Sequence, residues 1–186
     1  MAKKKAPVTA KDVIDFWFNE LTPQDWWKKS TALDKKIKTR FHDIYKRAAA
    51  GELVSWRYDP LDSLAEIIIL DQFPRNMFRD KKQSFATDPL ALVLAQSAVD
   101  KGYDQKLNND QKSFLYMPFM HSESAEIHRA AELLFSAPGL EHNYDFELKH
   151  KAIIDRFGRY PHRNKILGRR SRKEEIEFLK EPGSSF

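Results

Sequence analysis

The recurrence of helix start and stop signals constrains this chain more than any other feature. Thr9 stands before KDVIDFWF with Asp12 three positions on, the spacing of a capping box. Thr22-Pro23 opens a short QDWWKK turn, with Pro where its missing N–H does no harm. Ser30 or Thr31 begins a long helix that reaches the Ala48–Ala50 run and stops at Gly51. Asp59-Pro60 opens LDSLAEIIILDQF, which Pro74 is expected to close, and Asp88-Pro89 opens LALVLAQSAVDK, which Gly102 ends. Asn109 or Asp110 then starts QKSFLYMPF, and Ser122 is placed to cap ESAEIHRAAELLF. A further helix from about Tyr144 should stop at Gly158, and Ser171–Glu174 reads as a capping box before EEIEFLK. No alternating β-branched run bounded by turn residues appears. The expected fold class is all-α, with roughly seven to nine helices whose short joints suggest antiparallel helical pairs.

No fixed sequence period is visible, and the tetratricopeptide Trp–Leu–Gly–Tyr pattern is absent in order. A chain of 186 residues is enough for a single compact domain with one core. We expect a helical domain over 9–180, between a disordered basic tail at 1–8 and a flexible C-terminal tail at 181–186. The lysine-rich start lacks the apolar stretch and cleavage site of a signal peptide. The longest apolar runs, at 67–70 and 90–95, are too short to cross a bilayer. Zero cysteines exclude disulfides, thiolate catalysis and Cys-ligated metals. The expectation is a cytoplasmic protein with no membrane association.

Charge is unevenly spread. The net charge is +5, but 156–173 carries eight Lys or Arg and no acid. Within it, RFGRYPHRN (156–164) echoes DQFPRN (71–76): an aromatic and a Pro leading into Arg-Asn. Pro fixes φ and turns the chain sharply, which holds a planar guanidinium near a set position where it can grip carboxylate or phosphate. Asp71 adds an anomaly. It follows Leu64, Ile67 and Ile68 on one apolar helical face, in the last turn, where the helix dipole disfavours an anion. A compensating cation is required, and Arg75 is nearest in sequence. His150 likewise lies on an apolar stripe with Phe146, Ile153, Ile154 and Phe157. In MPFMHSESAEIH, His121 precedes the Ser122 cap, beside the positive end of a helix, where an imidazole pKa falls and anions gather. His121 and His128 would share a helical face with Glu123 opposite, a poor metal motif, so no metal site and no cofactor are expected.

These motifs carry a resemblance. VIDFWF, the Arg40-Phe41 pair, AAAGEL, LDQFPRN, FATD, FLYMPFMHSE, KHKAIIDRFGRYPHRNKILGR and EEIEFL run from about Val13 to Leu179. In that order they resemble a mainly bacterial family catalogued as domain of unknown function nine-twenty-four, grouped with tetratricopeptide-like helical folds. The resemblance implies a tetratricopeptide-like single domain and supplies no reaction. The family motif falls here on Asp71, Gln72, Arg75, Asn76, His121, Ser122, Glu123, His150, Arg156, Arg159, His162, Arg163 and Asn164. The chain departs from it at His128, where the family has Gln, and at Arg172-Lys173, where it has Thr-Pro.

Two interpretations of the Arg–Asn corners stay open: a structural clasp, or an anion pocket. The leading functional expectation is a small phosphate- or carboxylate-bearing ligand held by Asp71, Arg75, Asn76, His150, Arg156, Arg159, Arg163 and Asn164. His121, His162 and Glu123 are the candidates for any proton transfer. Whether there is a reaction stays open, because no nucleophile elbow, Walker or Rossmann fingerprint is present. The alternatives are a non-catalytic scaffold with a protein or peptide partner and, ranked below it, nucleic-acid binding through 156–173.

Overall fold

One helix that is buried on every side organises the molecule. The computed structural model describes residues 6–185, so most of the expected N-terminal tail, and Phe186, lie outside the described residues. The central helix, Pro60–Met77, buries every side chain from Ser63 to Pro74. A helix hydrophobic all round belongs in the middle of a core rather than on its surface. Around it, in chain order, are α1 (Ala10–Asp15), α2 (Pro23–Trp27) and α3 (Thr31–Ala49), with the central helix itself as α4. Then follow α5 (Asp88–Asp100), α6 (Asn109–Met120), α7 (Ala125–Phe135) and α8 (Glu141–Phe157). Two short helices, α9 (Asn164–Leu167) and α10 (Lys173–Phe178), finish the fold, and the described residues contain no strand.

Helix α4 packs against α1, α3, α5 and α6, while each helix from α3 to α8 packs on the next in sequence. That succession is compatible with the tetratricopeptide-like expectation and gives one all-helical domain. The VIDFWF motif supplies the N-terminal face of the core. Phe16 lies 4.9 Å from Phe41, whose ring is 4.7 Å from Phe73, and Trp17 meets Phe114 edge-on at 5.4 Å. A smaller cluster of Ile153, Ile154, Phe157, Tyr160 and Phe178 lies under the C-terminal segment. Of the two acids buried in α4, Glu66 is gripped at both oxygens by Arg57 at 2.7 and 2.8 Å.

Several boundaries depart from the sequence reading. Among the described residues there are ten α-helices, one beyond the expected range, because residues after the Pro161–Arg163 turn close into the short α9. Pro74 does not close α4, which continues one turn to Met77, and Pro118 likewise sits inside α6. Helix α8 starts at Glu141, not Tyr144. Ser122 does not cap α7; its hydroxyl accepts the Ser124 N–H at 3.2 Å, and the helix begins at Ala125. At α10 the acid that reaches back is Glu175 rather than Glu174, accepting the Arg172 N–H at 2.6 Å. Beyond α10, the Ser184 hydroxyl donates to Leu179 O at 3.3 Å.

No helix among the described residues is long and apolar enough to cross a membrane.

Candidate functional site

The site begins with a missing donor. Pro74 has no N–H to give to the Leu70 carbonyl one turn back, so that acceptor stays open inside the core. The Thr87 hydroxyl fills it at 2.6 Å. This fixes the entry to α5, and the next residue, Asp88, is delivered to Arg75 one residue beyond the proline. Arg75 grips Asp88 with two parallel bonds, Nη1–Oδ1 and Nη2–Oδ2, both 3.0 Å. Its Nη1 also lies 3.3 Å from Asp71 Oδ1 and donates to the Asp71 carbonyl.

Asp71 is fully buried, with its carboxylate surrounded by donors. His121 Nδ1 approaches Oδ1 at 2.8 Å, and Gln72 Nε2 donates to Oδ2 at 2.6 Å. Burial alone would raise the Asp71 pKa, but Arg75 and His121 outweigh it and hold it down at about 2. An ionised Asp71 fixes the Nδ1–H tautomer of His121 and leaves Nε2 with a free lone pair. His121 is the C-cap of α6, so it does not stand at the positive helix end foreseen from the sequence. Its pKa is nevertheless lowered, by burial and then by the Arg75 guanidinium, against the pull of Asp71.

The second corner brings Arg163 to the same place. Residues Pro161–Arg163 form a single 3₁₀ turn after Gly158, which takes a left-handed φ of 68° to end α8. The Arg163 guanidinium is sandwiched, its carbon 4.5 Å from the Tyr160 ring centre and 4.7 Å from that of Phe85. It is only 7% exposed. Its nearest carboxylate oxygen, Asp88 Oδ2, is 3.6 Å away and already serves Arg75. Among the described residues the Arg163 side chain makes no hydrogen bond, and its buried Nε has no partner. Burial and the neighbouring Arg75 both push its pKa down.

The other predicted residues are placed differently. Asn76 donates to Asp34 Oδ1 at 2.9 Å, beside the bidentate Arg79–Asp34 pair, and so ties α4 to the start of α3. Arg156 is exposed and lies over Phe157 and Phe178. Arg159 grips both oxygens of Glu175 at 2.6 and 2.8 Å. Asn164 bridges Glu175, Ser171 and Arg169. Glu123 takes two bonds from Arg169 at 2.6 and 2.9 Å and one from the Tyr160 N–H at 2.7 Å. Burial opposes its ionisation, yet Arg169 and that N–H keep its pKa lowered, so it is an acceptor already occupied rather than a proton donor. His150 Nδ1 donates to Phe146 O at 2.8 Å, and burial takes its pKa to about 3. Burial and Arg163 take His162 to about 4. Both imidazoles are therefore neutral near pH 7.

Sequence reasoning passed over Asp88, taken only as a helix start, and Arg169, which has no mark within a basic run. It also discounted His128. That residue is fully buried, with Nδ1 2.6 Å from Glu147 Oε1 and Nε2 2.9 Å from the Ser122 carbonyl, which can only accept. Tyr160 Oη is 3.1 Å from the same Nε2 and donates to Met120 O at 2.6 Å. The network pins the second corner to the end of α6 and explains how Tyr160 is held under Arg163. The acid Glu147 sits seven residues before Ile154 on α8, and nothing in its local sequence marks it. No group of three or more His, Cys, Asp or Glu side chains able to hold a metal ion occurs among the described residues.

A family model described as bacterial protein of unknown function (DUF924) matches residues 13–183. A solved structure of a protein of unknown function from Agrobacterium tumefaciens is 40% identical, with a TM-score of 0.86 over 92% of this chain and 96% of that one. No curated protein matches.

Proposed function

Because the chain belongs to the DUF924 family, described as being of unknown function, we propose a function from its own residues: binding of a small carboxylate- or phosphate-bearing ligand at Arg163. One observation carries the proposal. Arg163 carries a nearly buried guanidinium with an orphaned Nε and no side-chain hydrogen bond, its nearest carboxylate already committed to Arg75. A buried charge in that condition is costly, and an anion that completes its hydrogen bonding removes the cost. The Tyr160–Phe85 sandwich holds the guanidinium plane in place, so little ordering remains to be done on binding. Neutral His121, oriented by Asp71, would accept a proton from a ligand bound beside Arg75, and neutral His162 stands next to Arg163 in the chain.

The test is a thermal-shift and calorimetric screen at matched ionic strength, with orthophosphate, mono-, di- and tricarboxylates and nucleotides. An anion at about 100 times its dissociation constant adds roughly 2.7 kcal/mol of stability. We expect one anion class to shift the wild type and to leave Arg163→Met unshifted. A flat screen, or an equal shift in both proteins, removes the proposal.

A further inference from the structure

Away from that site, the connection between α9 and α10 leaves an open groove of about 600 Å³ lined by Arg159, Arg170, Ser171, Arg172, Lys173 and Ile176. From the groove's composition we infer that it is a docking surface for an acidic, extended peptide segment of a partner protein, with one aliphatic residue flanked by Asp or Glu. Charge is the first argument. Arg159 is neutralised by Glu175, and its Nη2 also donates to the Arg170 carbonyl at 3.0 Å, which braces the groove wall. The remaining cations are not neutralised. Arg170 and Lys173 form no ion pair among the described residues, and Arg172 has only the solvent-exposed Glu174 at 3.6 Å. All three are exposed and open to an incoming anion.

The groove floor is the second argument. Ile176 is 47% exposed. It lies three positions after Lys173 on the same face of α10, and Arg172, the extended N-cap residue just before the helix, lines the same groove. That alternation, an aliphatic spot with ammonium and guanidinium on its rim, complements a hydrophobic side chain between two carboxylates. A nucleic-acid strand fits less well. No aromatic lines the groove to stack a base, and a phosphodiester backbone makes no use of Ile176.

Fluorescence anisotropy with the full-length protein tests this. The probes are a labelled peptide of about ten residues, mostly Glu with one central Leu, the same peptide with Ser in place of Leu, and an oligothymidine of equal length. Experiments run at roughly physiological salt, where surface charge is screened within about 8 Å. The Leu peptide is expected to bind more tightly than the Ser peptide or the oligonucleotide. The triple variant R170E/R172E/K173E, all at exposed positions, should weaken it by about tenfold or more at an unchanged melting temperature. Ile176→Asn should weaken the Leu peptide about threefold and leave the Ser peptide unaffected. Should the triple variant lose its fold, Arg170→Glu alone in the exposed connection carries the comparison, with a smaller loss expected. No binding up to about 1 mM, or affinity indifferent to charge reversal, overturns the inference. Tighter binding of oligothymidine than of the Leu peptide overturns it too, in favour of a nucleic-acid surface. Arg163→Met should leave peptide binding intact, which keeps this outcome separate from that of the anion site.

Discussion

Two arginine–carboxylate assemblies flank the 160–164 corner, built from the same side-chain types but brought to different degrees of completion. In the outer one, Glu123 and Glu175 have donors on all four oxygens, from Arg169, Arg159, Asn164 and the backbone N–H groups of Tyr160 and Arg172. In the inner one, two guanidiniums converge on the single carboxylate of Asp88, and the Arg163 side chain receives a 3.6 Å contact and no hydrogen bond. The contrast teaches that Arg content does not separate brace from site; the count of satisfied donors does. A brace uses up its hydrogen-bonding capacity, whereas a binding site leaves some of it open.

The sharpest break in this comparison is Asp71→Ala. It leaves Arg75 with Asp88 as its one carboxylate and takes the buried acceptor from His121, and should cost about 3–5 kcal/mol in urea denaturation. A loss below about 1 kcal/mol would show that Asp88 alone suffices for Arg75. Acid comes next. His150 and His162 have folded-state pKa values of about 3 and about 4, below the ordinary 6.5. The unfolded chain therefore binds more protons, and stability present above pH 6.5 is lost as pH falls through that window. The slope should reach about 1.4 kcal/mol per pH unit for each histidine. Asp71, held at about 2 against 3.8, adds a separate loss only below about pH 4. A His150→Gln/His162→Gln double variant should flatten the upper limb and spare the lower one; a limb unchanged in the variant would assign the acid sensitivity elsewhere.

Within the brace, Arg169→Ala removes two of the three hydrogen bonds to Glu123, leaving that from the Tyr160 N–H, and should cost about 1–3 kcal/mol with the anion response retained. The smallest stability effect is expected at Arg163→Met. Replacing an incompletely paired buried charge with an apolar side chain of similar length should move stability by about 1 kcal/mol or less, in either direction, while abolishing the anion response. If Arg163→Met costs as much as Asp71→Ala, the inner assembly is a brace as well.

Helix existence was legible because caps and glycines are local signals, and Thr9, Asp59, Gly51 and Gly158 act where they were expected to. The burial of Asp71 and its need for Arg75 were legible from helical spacing. What the sequence could not reveal was partnership across distance. Asp88 looked like a helix start, Arg169 like one charge among eight, and nothing singled out Glu147. Each is defined by a residue 13, 46 or 19 positions away, and no local pattern encodes that. The misplaced end at Pro74 has a physical cause. A proline disfavours helix in the residue before it, but a buried helix packed on several sides tolerates one when the freed carbonyl finds another donor.

That exchange at Leu70 makes the helix defect a locating device. Because the core leaves one carbonyl without a backbone donor, only a hydroxyl arriving at the right spot satisfies it, and Thr87 arrives with Asp88 attached. Replacing Pro74 by Ala would restore a regular ladder and make α4 a better helix. It would also give the Thr87 hydroxyl a competitor, loosen the register of the chain entering α5, and blur where Asp88 meets the two arginines. For anyone engineering this fold, regularising its backbone and preserving its site are opposing aims at this residue.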